Sequence, residues 1–317
     1  GDAATICPWQ IYQTYGSQKV LADQFESMKK WVDYITHATD TPNLWTGGTH
    51  YGDWLGLDAP SGSYKGSSRE ELIASAFYAH STQLVIRAGH VLGEDVTEYE
   101  ALYQAIVAAF RAAYPEYRTQ TEYTVAVWFG LAEHLQKSAD ELAELVKKDG
   151  CQLRTGFVGT PFLLHVLSSY GHADLAYTLL LRREYPSWLY PVTKGATTIW
   201  EHWDGIMEDG GFWSADMNSF NHYAYGSVAD WIYEEAAGIR PLEPGFAQAQ
   251  VAPKPDRRLG WLEASIETRH GLVRSRWEYQ DGGIRYEIEA EMPVSVVIDG
   301  TKRQVPAGSY IFWGSEK

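Results

Sequence analysis

The densest group of chemically capable side chains is the stretch Trp200-Glu201-His202-Trp203-Asp204. Apolar neighbours raise the pKa of a carboxyl group and cationic or polar neighbours lower it, so carboxylates between tryptophans suit acid–base work. Glu201 could act as a general base that activates a water molecule. The alternative is that Glu201 ends a helix and the tryptophans form an exposed aromatic rim.

A second candidate is a glycine-rich loop in which Gly52-Asp53-Trp54 places a carboxylate beside an aromatic ring. An aspartate can bind a pair of sugar hydroxyls, and a tryptophan offers a face for the apolar side of a sugar ring. Asp53 and Trp54 are therefore predicted to bind a sugar. The alternative for Asp53 is an Asx-turn that holds the loop in shape.

His222 is the third candidate, in a segment that opens a predicted helix. It could donate a hydrogen bond to a substrate hydroxyl or to a carboxylate, although a single histidine at a helix start is commonly structural. Asn221, just before it, is a candidate N-cap. Asp2 carries no signal of its own, because terminal residues are usually mobile.

The composition favours a carbohydrate site and disfavours several other functions. The 317 residues include 13 Trp, 21 Tyr and 10 Phe, and 41 acidic against 26 basic residues give a net charge of −15. Such a chain is a poor partner for nucleic acid or an anionic membrane surface, and no apolar run reaches the ~18 residues of a membrane helix. Cys7 and Cys151 fit neither a disulfide framework nor a zinc spacing. No zincin, nucleophile-elbow or nucleotide-binding motif occurs, so no metal and no cofactor are predicted.

Helical periodicity dominates the sequence before Pro241. The predicted helices cover 3–15, 17–37, 69–92, 95–114, 120–137, 139–149, 160–170, 172–184, about 193–202, and 222–237. Predicted boundary signals are a capping box of Ser68 with Glu71 and helix-ending glycines at 93, 150, 171 and 238. Long loops at 40–67 and 186–221 separate some of these helices, and long loops in compact domains are usually functional. Alternating short and long connections indicate an α/α toroid, with an irregular α-solenoid as the alternative.

After Pro241 the apolar period changes from helical to alternating. Ile284, Tyr286, Ile288 and Ala290 alternate with charged residues, which predicts a half-buried strand. Asp281-Gly282 and Asp299-Gly300 are hairpin-turn signals. We therefore predict a helical domain over residues 1–240 and a small antiparallel β-domain over residues 241–317.

Four segments together resemble the catalytic domain of bacterial α-L-rhamnosidases of glycoside hydrolase family 78. They are Gly1-Asp2-Ala3, Thr155-Gly156-Phe157-Val158-Gly159-Thr160-Pro161-Phe162, Thr198-Ile199-Trp200-Glu201-His202-Trp203-Asp204 and Ser219-Phe220-Asn221-His222-Tyr223-Ala224-Tyr225-Gly226. Gly52-Asp53-Trp54 and Gln120-Thr121 match in the same order, and the resemblance runs from residue 1 to about residue 300.

The resemblance implies an (α/α)6 barrel followed by a β-sandwich, and inverting hydrolysis of terminal α-L-rhamnose from a glycoside or oligosaccharide. It implies that Glu201 is the general base and that Asp2 is a carboxylate of the catalytic site that binds the sugar. Trp54 would line the pocket and His222 would touch the sugar. The remaining expected substrate-binding residues are Asp53, Trp200, Trp203 and Asp204.

The sequence departs from the family pattern at its start. The general acid of the family precedes the aspartate that corresponds to Asp2, so its position falls before residue 1. The first barrel helix would also fall before residue 1, so we expect a truncated barrel that lacks about one N-terminal helix. Because an inverting glycosidase needs two carboxyl groups ~6.5–9.5 Å apart, we also expect reduced activity. A substitute acid could come from Asp2, Asp53, Asp204 or Glu208, and the groove left open could favour a homo-oligomer.

Two other functions stay open at this point. The chain could be a rhamnose-binding remnant that no longer cleaves its ligand. It could also be another (α/α)6 sugar enzyme, such as an unsaturated-glucuronyl hydrolase or a lyase. An acidic substrate would require a basic pocket, whereas the motif loops hold Lys194 and few other cations. The aglycone, the linkage and the cellular compartment are not predicted.

Overall fold

The structure is a computed structural model that describes residues 1–315. The chain divides into two compact units. The first comprises residues 1–2 and 26–228, and the second comprises residues 3–25 and those from 229 onward. Among the described residues, no helix is both long and apolar enough to cross a bilayer.

Helices account for most of the regular structure before residue 237. In chain order they are α1 (Ala3–Tyr15), α2 (Gln18–Ala38), α3 (Glu70–Leu92), α4 (Thr97–Ala113), α5 (Gln120–Trp128), α6 (Leu135–Lys148), α7 (Thr160–Ser169), α8 (Ala173–Leu181), α9 (Leu189–Thr193) and α10 (Val228–Trp231). A 3-10 helix at Ala224–Ser227 precedes α10, and a π-helix at Ile232–Ala236 follows it.

The helices of the first unit alternate between an inner and an outer layer. Of the inner helices, α5 contacts both α3 and α7, and most residues of α5 and α7 are buried. The outer helices α4, α6 and α8 each pack on the inner helix that precedes them. In α6 the buried residues recur at helical spacing and form one apolar face: Ser138, Ala139, Leu142, Ala143 and Val146. These helical hairpins agree with the predicted α/α toroid.

An ion pair between the partly exposed Arg69 and the buried Glu122 joins the N-terminal ends of α3 and α5. The Glu122 side chain is fully buried and accepts hydrogen bonds from the backbone N and from Nε of Arg69, both at 2.9 Å. Burial opposes its charge, but the hydrogen bonds from Arg69 and Arg118 hold the pKa of Glu122 below its ordinary value. The loops that precede α3 and α5 therefore lie at the same end of the unit.

Two predicted helices were placed wrongly. The predicted helix at 120–137 is interrupted, because α5 ends at Trp128 and α6 begins at Leu135. Gly130, with φ of +72°, turns the chain, while Leu131 is buried and continues the apolar period that suggested a single helix. The short helix expected around 193–202 ends at Thr193 instead, and Gly195 with φ of +86° follows it.

The predicted helix boundaries are partly confirmed. The helix-ending glycines all have positive φ, at Gly93, Gly150, Gly171 and Gly238. Asn221 is not an N-cap, because the first helical turn begins at Ala224. Ser68 forms no capping box, because α3 begins two residues later and its hydroxyl shares a hydrogen bond of 2.7 Å with Thr119. Residues 222–237 form three short helical pieces of different type rather than one α-helix.

The second unit contains a β-sandwich. Its strands are β1 (Ile239–Pro241), β2 (Ala249–Val251), β3 (Trp261–Thr268), β4 (Gly271–Gln280), β5 (Gly283–Ala290), β6 (Val294–Ile298), β7 (Thr301–Val305) and β8 (Gly308–Gly314). The two sheets have the orders β1-β2-β6-β7 and β3-β4-β5-β8, and all pairs except β2–β6 are antiparallel. Residues of both sheets share one apolar core that includes Trp277, Tyr286 and Val296.

The strand predictions are confirmed. The inward side chains of β5 are those predicted from the alternation, and Ile284, Tyr286, Ile288 and Ala290 are all at most 4% exposed. Both hairpins turn at the predicted dipeptides, between β4 and β5 and between β6 and β7. Asp299 and Gly300 have φ of 49° and 75°, as a type I′ turn requires. The domain boundary between residues 240 and 241 stays a prediction.

Candidate active site

Asp2 is held by two residues that are distant in sequence. Its Oδ1 accepts hydrogen bonds from Trp31 Nε1 at 3.0 Å and from Ser81 Oγ at 2.9 Å. The Trp31 ring packs edge-on against Trp45, with 5.4 Å between ring centroids. Sequence reasoning missed Trp31 and Ser81, because no local pattern connects them to residue 2. These contacts fix a half-buried carboxylate that faces aromatic side chains.

Asp53 is an interior anchor in this structure. Its side chain accepts hydrogen bonds from Thr121 Oγ1 and from the backbone N atoms of Gly156, Val158 and Gly159, at 2.7, 2.9 and 3.3 Å. The residue is 1% exposed, and burial raises its pKa against the opposing effect of these donors. The geometry favours the structural interpretation of Asp53 over sugar binding, because both carboxylate oxygens are occupied by protein donors.

The segment 156–159 also docks against the backbone of Trp54. Trp54 O accepts a hydrogen bond from Phe157 N at 2.9 Å, and a Cβ on Gly156 would lie 2.2 Å from the same carbonyl oxygen. Only glycine fits at that contact. The half-buried Trp54 ring lies 5.7 Å from Tyr51 and 5.5 Å from Tyr64, so the predicted sugar wall belongs to a larger aromatic surface.

Glu201 lies in a loop, in a backbone pairing with Ser219. Glu201 N donates to Ser219 O at 2.8 Å, and Ser219 N donates to Glu201 Oε2 at 2.9 Å. Oε1 accepts no hydrogen bond from the residues that the structure describes, and the side chain is half-buried. The alternative of a helix-end glutamate is wrong, because α9 ends at Thr193. One oxygen is therefore fixed while the other is available to a water molecule.

The same loop pairing places His222 opposite Ile199, two residues before Glu201. His222 N donates to Ile199 O at 2.9 Å, and its ring stacks on Phe157 at 5.0 Å. Ala224 N donates to Nδ1 at 3.4 Å, which leaves Nε2–H as the donor. Phe157 thus links His222 to the segment that Asp53 anchors.

The remaining predicted residues lie deeper. Trp200 and Trp203 are 5% and 3% exposed, so they support the site from below rather than present an open stacking face. Trp203 stacks on Tyr225 at 3.8 Å between ring centroids. Asp204 is half-buried, and burial raises its pKa. The structure thus joins most of the predicted residues in one loop cluster, formed by residues 53–54, 156–159, 199–204 and 219–225, but it gives them unequal access to a ligand.

Two histidines whose side chains are withdrawn from water, the half-buried His80 and the buried His202, predict a pH dependence of stability. Burial lowers the pKa of His80 and of His202 to about 4. Because a histidine in the unfolded chain has a pKa of ~6.5, unfolding takes up protons between these values, so stability is lost as pH falls from about 6.5 to about 4. The expected loss is on the order of 3 kcal/mol per histidine.

This pH dependence is checked by urea unfolding at several pH values across that range. His80→Gln and His202→Gln should each flatten the dependence, whereas substitution of the exposed His37 by Gln should not. A wild-type stability that does not change between pH 6.5 and 4.5 would contradict the burial of neutral histidines.

Comparison with known families finds one match for the helical part of the chain and another for the β-domain. Residues 1–236 match the bacterial α-L-rhamnosidase 6-hairpin glycosidase domain, and residues 238–304 match the bacterial α-L-rhamnosidase C-terminal domain. An α-L-rhamnosidase of Streptomyces avermitilis is 40% identical over 291 residues, and one of Formosa agariphila is 38% identical over 299 residues. These alignments cover 89% and 91% of this chain but only 27% and 32% of the relatives.

Solved structures agree with these matches. The Streptomyces avermitilis α-L-rhamnosidase complexed with L-rhamnose superposes with a TM-score of 0.90 at 36% identity, over 98% of this chain and 32% of the other. The Aspergillus terreus enzyme gives a TM-score of 0.92 at 31% identity, over 99% and 38% of the two chains. These likenesses confirm the predicted fold class, an α/α barrel followed by a β-domain.

Proposed function

Because the chain belongs to the family of bacterial α-L-rhamnosidase 6-hairpin glycosidase domains, we propose that it hydrolyses glycosides of terminal α-L-rhamnose with inversion, with Glu201 as the general base. The family resemblance drawn from the motifs is thereby confirmed. The chain spans about a third or less of the relatives that it matches, so the activity of the whole enzymes is a proposal for this chain.

The geometry of Glu201 carries this proposal. An inverting glycosidase needs a carboxylate that accepts a proton from water on the face of the sugar opposite the leaving group. Ser219 fixes one oxygen of Glu201, and the other accepts no hydrogen bond from residues 1–315. The hydrogen bond from Ser219 therefore orients the carboxylate, while its second oxygen stays available to a water molecule.

The other candidates supply groups that a sugar ring would use. Trp54 offers a half-buried ring face, His222 offers Nε2–H, and Asp2 offers a carboxylate oriented by Trp31. We propose that these three residues bind the rhamnose, with Asp2 on the catalytic side of the ring. The expected homo-oligomer and the lack of nucleic-acid or membrane partners remain predictions.

The test is release of nitrophenol from p-nitrophenyl α-L-rhamnoside by the purified chain. Nitrophenol is a good leaving group that needs little help from a general acid, so base-assisted attack alone should give measurable turnover. Inversion predicts that NMR detects the β-anomer of rhamnose first; the α-anomer first would contradict it. If calorimetry detects rhamnose binding but no nitrophenol is released, the proposed hydrolysis is rejected and only the proposed rhamnose binding stands. If neither binding nor turnover is detected, the whole proposal is overturned.

A further inference from the structure

The two most exposed tryptophans of the described residues lie on the same sheet of the β-sandwich. Trp261 and Trp313 are each 57% exposed, against 40% for Trp128, and clustered exposed apolar side chains mark binding surfaces. They belong to β3 and β8, the outer strands of the sheet β3-β4-β5-β8. Trp261 pairs with Glu278 on β4, Glu278 with Arg285 on β5, and Arg285 with Trp313 on β8. Both tryptophans therefore lie in one row across the sheet.

This row faces away from the core of the sandwich. The adjacent residues on the four strands belong to the apolar core or pack against it: Leu262, Trp277, Tyr286 and Phe312. Because side chains alternate between the two faces of a sheet, the row that contains the tryptophans lies on the opposite, outward face. Three strand spacings separate the two indoles, a distance of about 14 Å. We call the outward side chains of this row and of the next two rows, which begin at Glu263 and Ser265, the outer face.

Charged side chains fill the outer face between its edges. Four are acidic and three are basic: Glu263, Arg274, Arg276, Glu278, Arg285, Glu287 and Glu289. Each is ion-paired with another member of this set, as Arg276 is with Glu278 at 2.8 Å and with Glu287 at 2.9 Å. Their side chains are 22–45% exposed, so hydroxyl groups can reach N–H groups and lone pairs that the ion pairs do not use. The outer face therefore offers many hydrogen bonds and little net charge.

The dimensions of the outer face suit a narrow ligand better than a protein. Three rows on four strands measure roughly 14 Å by 14 Å, or about 200 Å². A stable protein complex buries about 800 Å² on each partner. In the rows next to Trp313, a hollow of about 220 Å³ is lined by residues that include Arg274, Glu289 and Ile311. This volume is below the ~300–1,000 Å³ of sites for drug-sized ligands and has room for a single ring.

We propose that the outer face binds a neutral polysaccharide, an extended β-1,4-linked chain that crosses the strands. Two of its rings would stack on Trp261 and Trp313, and its hydroxyls would bond to the charged groups between them. A charged polymer would have to break the ion pairs, whereas a neutral chain leaves them in place. This site belongs to the second unit, and the residues proposed to bind rhamnose belong to the first, so the inference does not depend on the proposed function.

The test is calorimetric titration of the chain with cellohexaose, xylohexaose and mannohexaose, with the matching disaccharides and hexagalacturonic acid for comparison. At least one neutral hexasaccharide should bind about tenfold more tightly than its own disaccharide, because only the longer chain spans both indoles. Trp261→Ala and Trp313→Ala should each weaken this binding about tenfold, as expected for the loss of one stacked ring. Binding should also shift the tryptophan emission of the wild type to shorter wavelengths.

The matched control is Tyr15→Ala, because Tyr15 is 66% exposed on α1 and lies outside the sheet. This variant should bind the hexasaccharide like the wild type, and excess rhamnose should not displace it. Trp313→Tyr keeps an aromatic ring, so it should retain most of the affinity, and it replaces Trp313→Ala if that variant does not fold.

Absence of binding to all three neutral hexasaccharides would overturn the proposal. Unchanged affinity in the double alanine variant, displacement by rhamnose, or tighter binding of hexagalacturonic acid would overturn it as well. Sedimentation gives a further check, since a wild-type dimer that the double alanine variant converts to a monomer would assign the outer face to a second copy of this chain instead of a polysaccharide.

Discussion

Replacement of Glu201 by glutamine should reduce turnover of p-nitrophenyl α-L-rhamnoside by about 10²–10⁴-fold, the range that general base catalysis supplies. A glutamine oxygen can still accept the hydrogen bond from Ser219 N that Glu201 Oε2 accepts at 2.9 Å. The amide cannot take a proton from water, however. The variant should therefore lose turnover but keep the conformation of the loop.

Measurements of kcat and KM, rhamnose affinity and thermal unfolding separate these effects. We expect kcat to fall, rhamnose affinity to stay within about threefold, and the free energy of unfolding to change by less than about 1 kcal/mol. Glu98→Gln is the matched control, because Glu98 is an exposed glutamate on α4. Its turnover should equal that of the wild type.

A rescue experiment distinguishes a base from a structural residue. In Glu201→Ala, azide can enter the space left by the side chain and attack the sugar without a base, so azide should restore nitrophenol release. Unchanged turnover in Glu201→Gln would contradict the assignment of the base. Lost turnover accompanied by lost rhamnose binding would instead mean that Glu201 mainly holds the loop.

The sequence was most informative where local chemistry and local structure coincide. The hairpin dipeptides at 281–282 and 299–300 and the alternation in β5 needed no distant partner, and they were predicted correctly. The same holds for the glycines that end helices, because a positive φ is a local property. Gly130 shows the limit, since the apolar period continued across the turn and concealed the end of α5.

The sequence was least informative about which polar groups are buried. Gly52-Asp53-Trp54 looks like an exposed loop, and only the segment 156–159, about a hundred residues later, shows that Asp53 is enclosed. In the sequence, Trp31 lies 29 residues after Asp2 and Ser81 lies 79 residues after it, so no local pattern identifies either residue as a partner of Asp2. Composition did indicate an aromatic site, but the row of neighbouring rings formed by Trp54, Tyr64 and Trp213 depends on tertiary contacts.

Asp53→Asn should destabilise the folded protein by about 3–5 kcal/mol. The Asp53 carboxylate accepts from four donors at once: Thr121 Oγ1 and the backbone N atoms of Gly156, Val158 and Gly159. An asparagine has one acceptor oxygen, and its NH₂ group would face N–H donors. At least two buried groups would lose their partners, at a cost of about 1–3 kcal/mol each.

Denaturant unfolding and rhamnose titration together decide what Asp53 does. The segment that Asp53 anchors carries Phe157, which stacks on His222, so the variant should also bind rhamnose more weakly. Asp58→Asn is the control in the same loop, because among the described residues Asp58 accepts hydrogen bonds from Ser67 alone, and it should cost less than about 1 kcal/mol. An Asp53→Asn variant of wild-type stability that no longer binds rhamnose would restore the sugar-binding interpretation. Stability and affinity that are both unchanged would show that the four hydrogen bonds do not hold the loop, and the link from Asp53 through Phe157 to His222 would then have to be abandoned.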